Sequence, residues 1–259
     1  MLQLIYSIIK KTGFFLVLFF IFQASQSLYG QGNARLDSIV ELSNDLINLN
    51  DYAEAEEKVD KVLAENENYA PAVETKLKIL VHQNKYSRAN RTIRKALDEH
   101  PEYPAFHLYK AKVLIEKEDY SGAIQHVNKA QGLTKNDKKL MNKIFVTKGA
   151  AYQKLKDPER ALANYSKALE INNKNPNVFV YRGYLYYKKD EYKKAIEDFE
   201  RVMDLDPNNH YAQYNIGMSE FKLGNKLEAC DAFHKACELG NKNACQMVVS
   251  KCLRNQGNQ

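Results

Sequence analysis

The sequence predicts an all-α solenoid of six helix–turn–helix pairs closed by a C-terminal capping helix, and three regularities predict it. The first is a column of alanines at Ala55, Ala89, Ala123, Ala161, Ala195 and Ala229, spaced 34, 34, 38, 34 and 34 residues apart. The second is a pair of flanking columns: Tyr52, Tyr86, Tyr120, Pro158, Tyr192 and Lys226 stand three residues before the alanines, and Val59, Ile93, Val127, Tyr165, Phe199 and Phe233 four residues after them. The third lies twelve residues before the alanines and is mostly small: Ser43, Leu77, Ala111, Gly149, Gly183 and Gly217. Small side chains let two antiparallel helices approach backbone to backbone, so this column marks the face each first helix turns to the second. A bundle without repeats has no reason to hold six alanines in phase.

The elements follow in order. Asp51, Asp119 and Asp157 stand where second helices begin, and a carboxylate there accepts the free N–H groups of the first turn. Glu54 follows Asp51 at the offset of a capping box. Pro158 takes the first helical position, where the missing N–H is harmless. Pro101 and Pro207 follow the ends of the second helices of repeats two and five. The 38-residue interval adds four residues, about one helical turn. Because a whole turn preserves the apolar phase, Asp137 to Leu155 is predicted to be one lengthened helix after a loop at Gly132–Asn136. Lys242–Leu253, turned back at Gly240-Asn241, is predicted to be the helix that seals the array, within a capping region at 241–255 and before a tail at 256–259.

These columns resemble the tetratricopeptide repeat, with its small–Gly–x–x–Tyr first helix and Tyr–x–x–Ala–x–x–x–Phe–x–x–Ala second helix. The best copies are Phe179-Val180-Tyr181-Arg182-Gly183-Tyr184-Leu185-Tyr186 with Tyr192, Ala195, Phe199, Val202 and Pro207, and the copy from Phe145 through Gly149, Tyr152, Ala161, Tyr165 and Ala168. The resemblance runs over residues 36–240, after a linker at 31–35. It departs at Leu77, which fills a small column, and at Leu46, Leu80 and Leu114, which stand where the pattern prefers Tyr. Repeats one to three, poorer in aromatic packing residues, are expected to protect their amides less than repeats four to six.

The resemblance implies a right-handed superhelix whose concave wall is made of first helices, and a function in binding proteins or peptides. The groove positions of repeats five and six hold Tyr181, Tyr184, Tyr187, Tyr211, Tyr214 and Phe221, with Lys188 and Lys222 at the rim. Aromatics at the positions of Tyr187, Tyr214 and Phe221 are ordinary for the family, whereas Tyr181, Tyr184 and Tyr211 exceed what packing needs. Tyrosine is a favoured interface anchor because it combines a large rigid area with a hydroxyl, and the lysines favour carboxylates. The expected ligand is an extended, acidic-aromatic protein segment. The clamp that grips a terminal carboxylate needs lysine at the fifth position of a first helix. Val40, Glu74, Leu108, Val146, Val180 and Tyr214 occupy that position here, which excludes the clamp.

Charge and the first thirty residues bound the setting. Net charge is +6, and charged residues of both signs, 27% of the chain, are interspersed as on solvated helix faces. Nucleic-acid binding calls for a concentrated basic stripe, and none appears. Residues 1–30 contain no acid, then Lys10-Lys11, then the ten-residue apolar run Gly13 to Phe22. Ten residues make a signal-peptide core, half of the roughly 20 that a membrane span needs. Joining the run to Leu2–Ile9 would place two lysines within the bilayer, at roughly 2.5–3.5 kcal/mol each. Cleavage after Ser27 or Gly30 and a periplasmic location are expected, with an uncleaved leader as the alternative and the only expected membrane contact. No cysteine stands near the cleavage region to carry a lipid.

The four cysteines, Cys230, Cys237, Cys245 and Cys252, all lie in the last thirty residues. Across the turn at Gly240-Asn241, Cys237 faces Cys245 and Cys230 faces Cys252 in one antiparallel register. The stretch from Lys235 to Cys245 also resembles cysteine-rich relatives of the repeat in which cysteines eight apart are bridged. An exported chain favours two disulfides; buried free thiols acting as small apolar groups remain the alternative, and four cysteines allow three connectivities. A single zinc site is disfavoured, because Cys230 and Cys237 lie about 10.5 Å apart along one helix while thiolates must converge at about 2.3 Å from the metal.

Nothing in the sequence supports catalysis. Histidines 82, 100, 107, 126, 210 and 234 are scattered without metal-ligand spacing, and there is neither a phosphate-binding loop nor a nucleophile elbow. No cofactor or metal is expected. The sequence therefore predicts an envelope scaffold that binds protein, with cell-wall glycan as the alternative ligand, stacked on aromatic faces.

Overall fold

A computed structural model describes residues 33–253, which divide into two compact units, one up to residue 101 and one from residue 102. The leader at 1–30, the linker residues 31–32 and the tail at 256–259 lie outside the described residues. Unit one holds α1 (33–48), α2 (Tyr52–Glu65), α3 (Ala70–His82) and α4 (Tyr86–Glu99). Residues 33–35, expected in the linker, already belong to α1. Unit two holds α5 (Pro104–Glu116), α6 (Tyr120–Leu133), α7 (Lys138–Lys154), α8 (Pro158–Ile171), α9 (Pro176–Lys188), α10 (Tyr192–Leu205), α11 (His210–Leu223), α12 (Lys226–Glu238) and α13 (Lys242–Met247). Within each unit, helices pack chiefly on their neighbours in the chain, the arrangement of six helix pairs and a cap. None of the described helices is long and apolar enough to cross a membrane.

The alanine column is the contact line: all six alanines are buried. So are Val59, Ile93, Val127, Tyr165, Phe199 and Phe233, one turn further on. The small column works differently from the expectation. A Cβ on Gly149 would stand 2.6 Å from the Tyr165 ring, one on Gly217 2.7 Å from Phe233, and one on Gly183 3.2 Å from Phe199. The glycines make room for an aromatic ring of the second helix rather than for its backbone.

The turn inside each repeat carries a second periodic device. Asn50, Asn84, Glu118, Lys156, Asp190 and Gly224 all have positive φ, between 57° and 87°. The following residue's N–H returns to the carbonyl five residues earlier, as in Asp51 to Leu46 at 2.9 Å and Asp157 to Tyr152 at 3.0 Å. This is the left-handed termination that satisfies the last carbonyls of a helix. It also explains the tyrosine column: the hydroxyls of Tyr52, Tyr86 and Tyr192 donate to side-chain oxygens of Asn50, Asn84 and Asp190.

Asp51, Asp119 and Asp157 cap their helices by accepting from the N–H groups of Glu54, Gly122 and Arg160. The capping box is half formed. The Asp51 N–H already donates to Leu46, and Glu54 pairs instead with Lys58 at 3.0 Å. Asp137 caps the lengthened α7, and because α6 runs on to Leu133 the preceding loop is shorter than expected. The cap is helical from Lys242 but not one α-helix: after Met247 it winds as a π turn over Val248–Cys252.

Candidate functional site

The tyrosine wall is built on α9 and α11. Asn175 caps α9 by accepting from the Asn177 N–H, and Pro176 fixes the first helical residue. Asn209 caps α11 in the same way, and Gly224 ends it in the left-handed conformation. On α9 the buried residues are Val178, Phe179, Gly183 and Leu185. Tyr181, Tyr184, Tyr187 and Lys188 follow one another at helical neighbour spacing on another face. On α11 burial of Ala212, Asn215, Gly217 and Ser219 leaves Tyr211, Tyr214, Phe221 and Lys222 on the corresponding face.

These side chains are not equivalent. Tyr181 and Tyr211 are 41% and 43% exposed, large for aromatic rings. Tyr181 leans on Tyr165 at 5.7 Å between centroids. The Lys188 ammonium stands 5.4 Å from the Tyr184 ring centroid, a cation–π arrangement that fixes charge at the edge of the wall. Tyr187 meets Tyr192 edge to face at 5.5 Å. Burial raises the Tyr187 pKa, with Tyr214, Asp190 and Tyr184 adding to it and Lys188 opposing. Tyr184, Tyr187, Tyr214 and Lys188 are therefore one cluster. Phe221 is drawn towards the cap. It joins Tyr214, Met218, Cys237, Met247 and Cys252 around the last core cluster, with the Lys251 ammonium 5.8 Å from its ring centroid.

The cap itself is cross-linked. Cys237 pairs with Cys245 and Cys230 with Cys252, at Cα separations of 4.8 and 5.7 Å, the register expected from the sequence. Asn241 caps α13 through the Ala244 N–H, and its amide also reaches the His210 carbonyl at 3.3 Å, tying the terminal hairpin to α11.

Sequence reasoning missed a cleft of about 930 Å³ between α10 and α12, lined among others by Phe179, Arg182, Asp198, Ile216, Glu220 and Asp231. At its side Arg182 makes a bidentate pair with Asp198, Nε to Oδ2 at 2.9 Å and Nη2 to Oδ1 at 2.7 Å, and donates from Nη1 to Ser166. The guanidinium lies 5.8 Å from the Phe179 ring centroid and 5.9 Å from that of Tyr186. The sequence does hold a basic residue just before the small column in four repeats, and the structure places each of them wholly or partly out of water. Among the described residues no group of three or more histidine, cysteine or acidic side chains is arranged to hold a metal ion.

Comparison with known proteins agrees with this architecture. Tetratricopeptide repeat models match residues 75–138, 176–209 and 211–239, and a TPR repeat model matches residues 149–190. No curated protein matches the chain. Among solved structures, the chain resembles YrrB, described as a TPR protein with an unusual peptide-binding site, at 22% identity over 73% of this chain and 96% of that one, with a TM-score of 0.57. It resembles PilF of Pseudomonas aeruginosa at 18% identity over 83% and 96% of the two chains, TM-score 0.68. A third structure, the APC/C hetero-tetramer Cut9–Hcn1, aligns at 14% identity over 83% of this chain and 42% of that one, TM-score 0.69. At these identities the likeness is one of fold. With matched repeats from residue 75 to residue 239, the chain belongs to the tetratricopeptide repeat family, whose members serve as protein-interaction scaffolds.

Proposed function

We propose that this protein is a non-catalytic scaffold of the bacterial envelope that holds an extended, acidic-aromatic protein segment against α9 and α11. The observation that carries the reading is the pair of open rings, Tyr181 and Tyr211, flanking a clustered Tyr184, Tyr187 and Tyr214 beside the exposed Lys188. Rings left in water offer a partner large rigid area at little ordering cost, and Lys188 and Lys222 supply charge for carboxylates. The peptide-binding site named for YrrB supports the class of ligand. The signal-like residues 1–30 support export to the periplasm, with a mature N-terminus between Leu28 and Gln31. Recovery of Met1 by peptide mapping of the native protein would refute the processing.

The test is co-purification from envelope fractions set beside pull-down on insoluble wall material. A protein should be retained and the glycan should not. Tyr184→Ala with Tyr211→Ala should weaken the captured protein by at least about 2 kcal/mol, roughly thirtyfold. Unchanged affinity in a folded double mutant would remove this wall as the site, and retention on wall material alone would favour glycan.

A further inference from the structure

The residue just before the small column is a cation in four successive repeats: Lys76, Lys110, Lys148 and Arg182. Removing a charge from water is unfavourable unless an opposite charge meets it. Two members of the column show how the fold answers. Lys76 of α3, 8% exposed, donates to Glu56 Oε1 at 2.8 Å and Asp60 Oδ1 at 2.7 Å, both on α2. Arg182 of α9 is held by Asp198 of α10.

Lys148 of α7 departs from this pattern. Its Nζ donates to the amide oxygen of Gln131 on α6 at 3.0 Å, and among the described residues no carboxylate lies within ion-pair distance. The charge that acts on Lys148 is instead a second cation, Lys167 of α8. The Lys167 Nζ stands 5.7 Å from the ring centroid of Phe145, one turn before Lys148 on α7. Burial first, and Lys167 second, push the Lys148 pKa down. The notch thus combines a half-buried ammonium, a like charge, an aromatic ring and an amide whose NH2 is left to donate, all of which suit an incoming anion.

We infer that the notch where α6, α7 and α8 meet binds a carboxylate side chain of a partner segment, with Lys148 and Lys167 as its cations and Gln131 as its amide donor. A carboxylate is the occupant because carboxylates fill the corresponding role for Lys76 and Arg182 within the same chain. This contact is independent of the tyrosine wall.

The experiment is an NMR titration of the full chain labelled at lysine 13Cε, with acetyl-Glu-Leu-Glu-Leu-Glu-amide as the probe. It is run in the Tyr184→Ala/Tyr211→Ala background, which weakens the tyrosine wall, and it is read at Lys148 and Lys167, which lie outside that wall. The Lys148 and Lys167 resonances should move together and saturate, whereas the glutamine counterpart of the probe should leave them unmoved. Gln131→Glu places a carboxylate of the protein's own in the notch. It should raise the melting temperature and weaken the probe by about tenfold or more, as should Lys148→Met. Parallel, unsaturating shifts of all lysines would overturn the inference, as would undiminished binding to Gln131→Glu. Saturation by inorganic phosphate with no response to the peptide would also reject a carboxylate site.

Discussion

Asp198→Ala tests how the fifth repeat holds its buried charge. The Arg182 and Asp198 side chains are 20% and 5% exposed. Removing the carboxylate leaves the guanidinium between Phe179 and Tyr186 with only the Ser166 hydroxyl to bind. Stranding one partner of a buried pair costs about 3–5 kcal/mol. Because Arg182 is partly open and keeps its ring contacts, about 3 kcal/mol is expected. The two ionisations point in different directions. Asp198 favours the charged Arg182, raising its pKa, while burial raises the Asp198 carboxyl despite Arg182. We give burial the greater weight, since Asp198 is the more enclosed partner, so the pair as a whole is near break-even against an apolar one. Repeat six contains that apolar version, with Ile216 and Ala232 at the equivalent positions. The double mutant Arg182→Ile/Asp198→Ala should accordingly lose less than about 1 kcal/mol. Native-state amide exchange of α9 and α10 is the suitable assay, because repeat arrays need not unfold in one step. A loss below about 1 kcal/mol for Asp198→Ala, or a double mutant as unstable as the single, would refute the reasoning.

Three further outcomes follow from the packing and the cap. Gly217→Ala puts a methyl 2.7 Å from Phe233 and 3.2 Å from the Ala229 carbonyl oxygen. It should lose about 1–3 kcal/mol in denaturant melts. Gly183→Ala, with its nearest atoms at 3.1–3.2 Å, should be close to neutral, since alanine's helix preference of about 1 kcal/mol offsets the crowding; equal losses would contradict the fit. His126 has a lowered pKa through burial first, then His107, Lys110 and Lys129, with Nδ1 atoms of His107 and His126 3.1 Å apart. The unfolded chain binds that proton more readily, so stability of α5–α6 is full above pH 6.5 and falls as the pH drops below it. His126→Gln should flatten the profile, and an unchanged slope would exclude His126 as its source. The bridges span 8 and 22 residues, so each should contribute about 3 kcal/mol. Reduction should lower protection in α12 and α13, while four free thiols on non-reducing digestion of oxidised protein would remove the premise.

The architecture was legible because the solenoid repeats its chemistry. Six buried alanines in phase locate every helix pair, and the aspartate caps and the four-residue extension of α7 follow from local rules. What periodicity could not show was partner identity. The glycine column predicts close approach, but only the fold reveals that a ring from the second helix fills the space. The positive-φ column has no signature in the sequence because Glu118 and Lys156 are poor left-handed formers beside Asn50, Asn84, Asp190 and Gly224, so no single residue type marks it. The tyrosines named from the sequence lie on α9 and α11, while Phe221 sits under Lys251, a contact made by the cap across sequence. The cation column stands in the sequence, but its pairing across helices does not. Lys76, Lys148 and Arg182 read as surface charges until their neighbours on adjacent helices are known.

The left-handed turns also dictate where repeats can be spliced. A cut from Asp190 through Leu223 would remove α10 and α11 whole and join Lys189 directly to Gly224, so that one positive-φ turn replaces another. In the shortened chain α9 would pack on α12, with Gly183 facing Phe233 in place of Phe199. Arg182 would then meet Ala232, where no carboxylate waits for it. A chimera of this kind needs Arg182→Ile, the residue that repeat six already uses at Ile216. Repeats five and six are thus interchangeable in backbone but not in buried charge, and a shuffled array must carry Arg182 together with Asp198 and Lys76 together with Glu56 and Asp60.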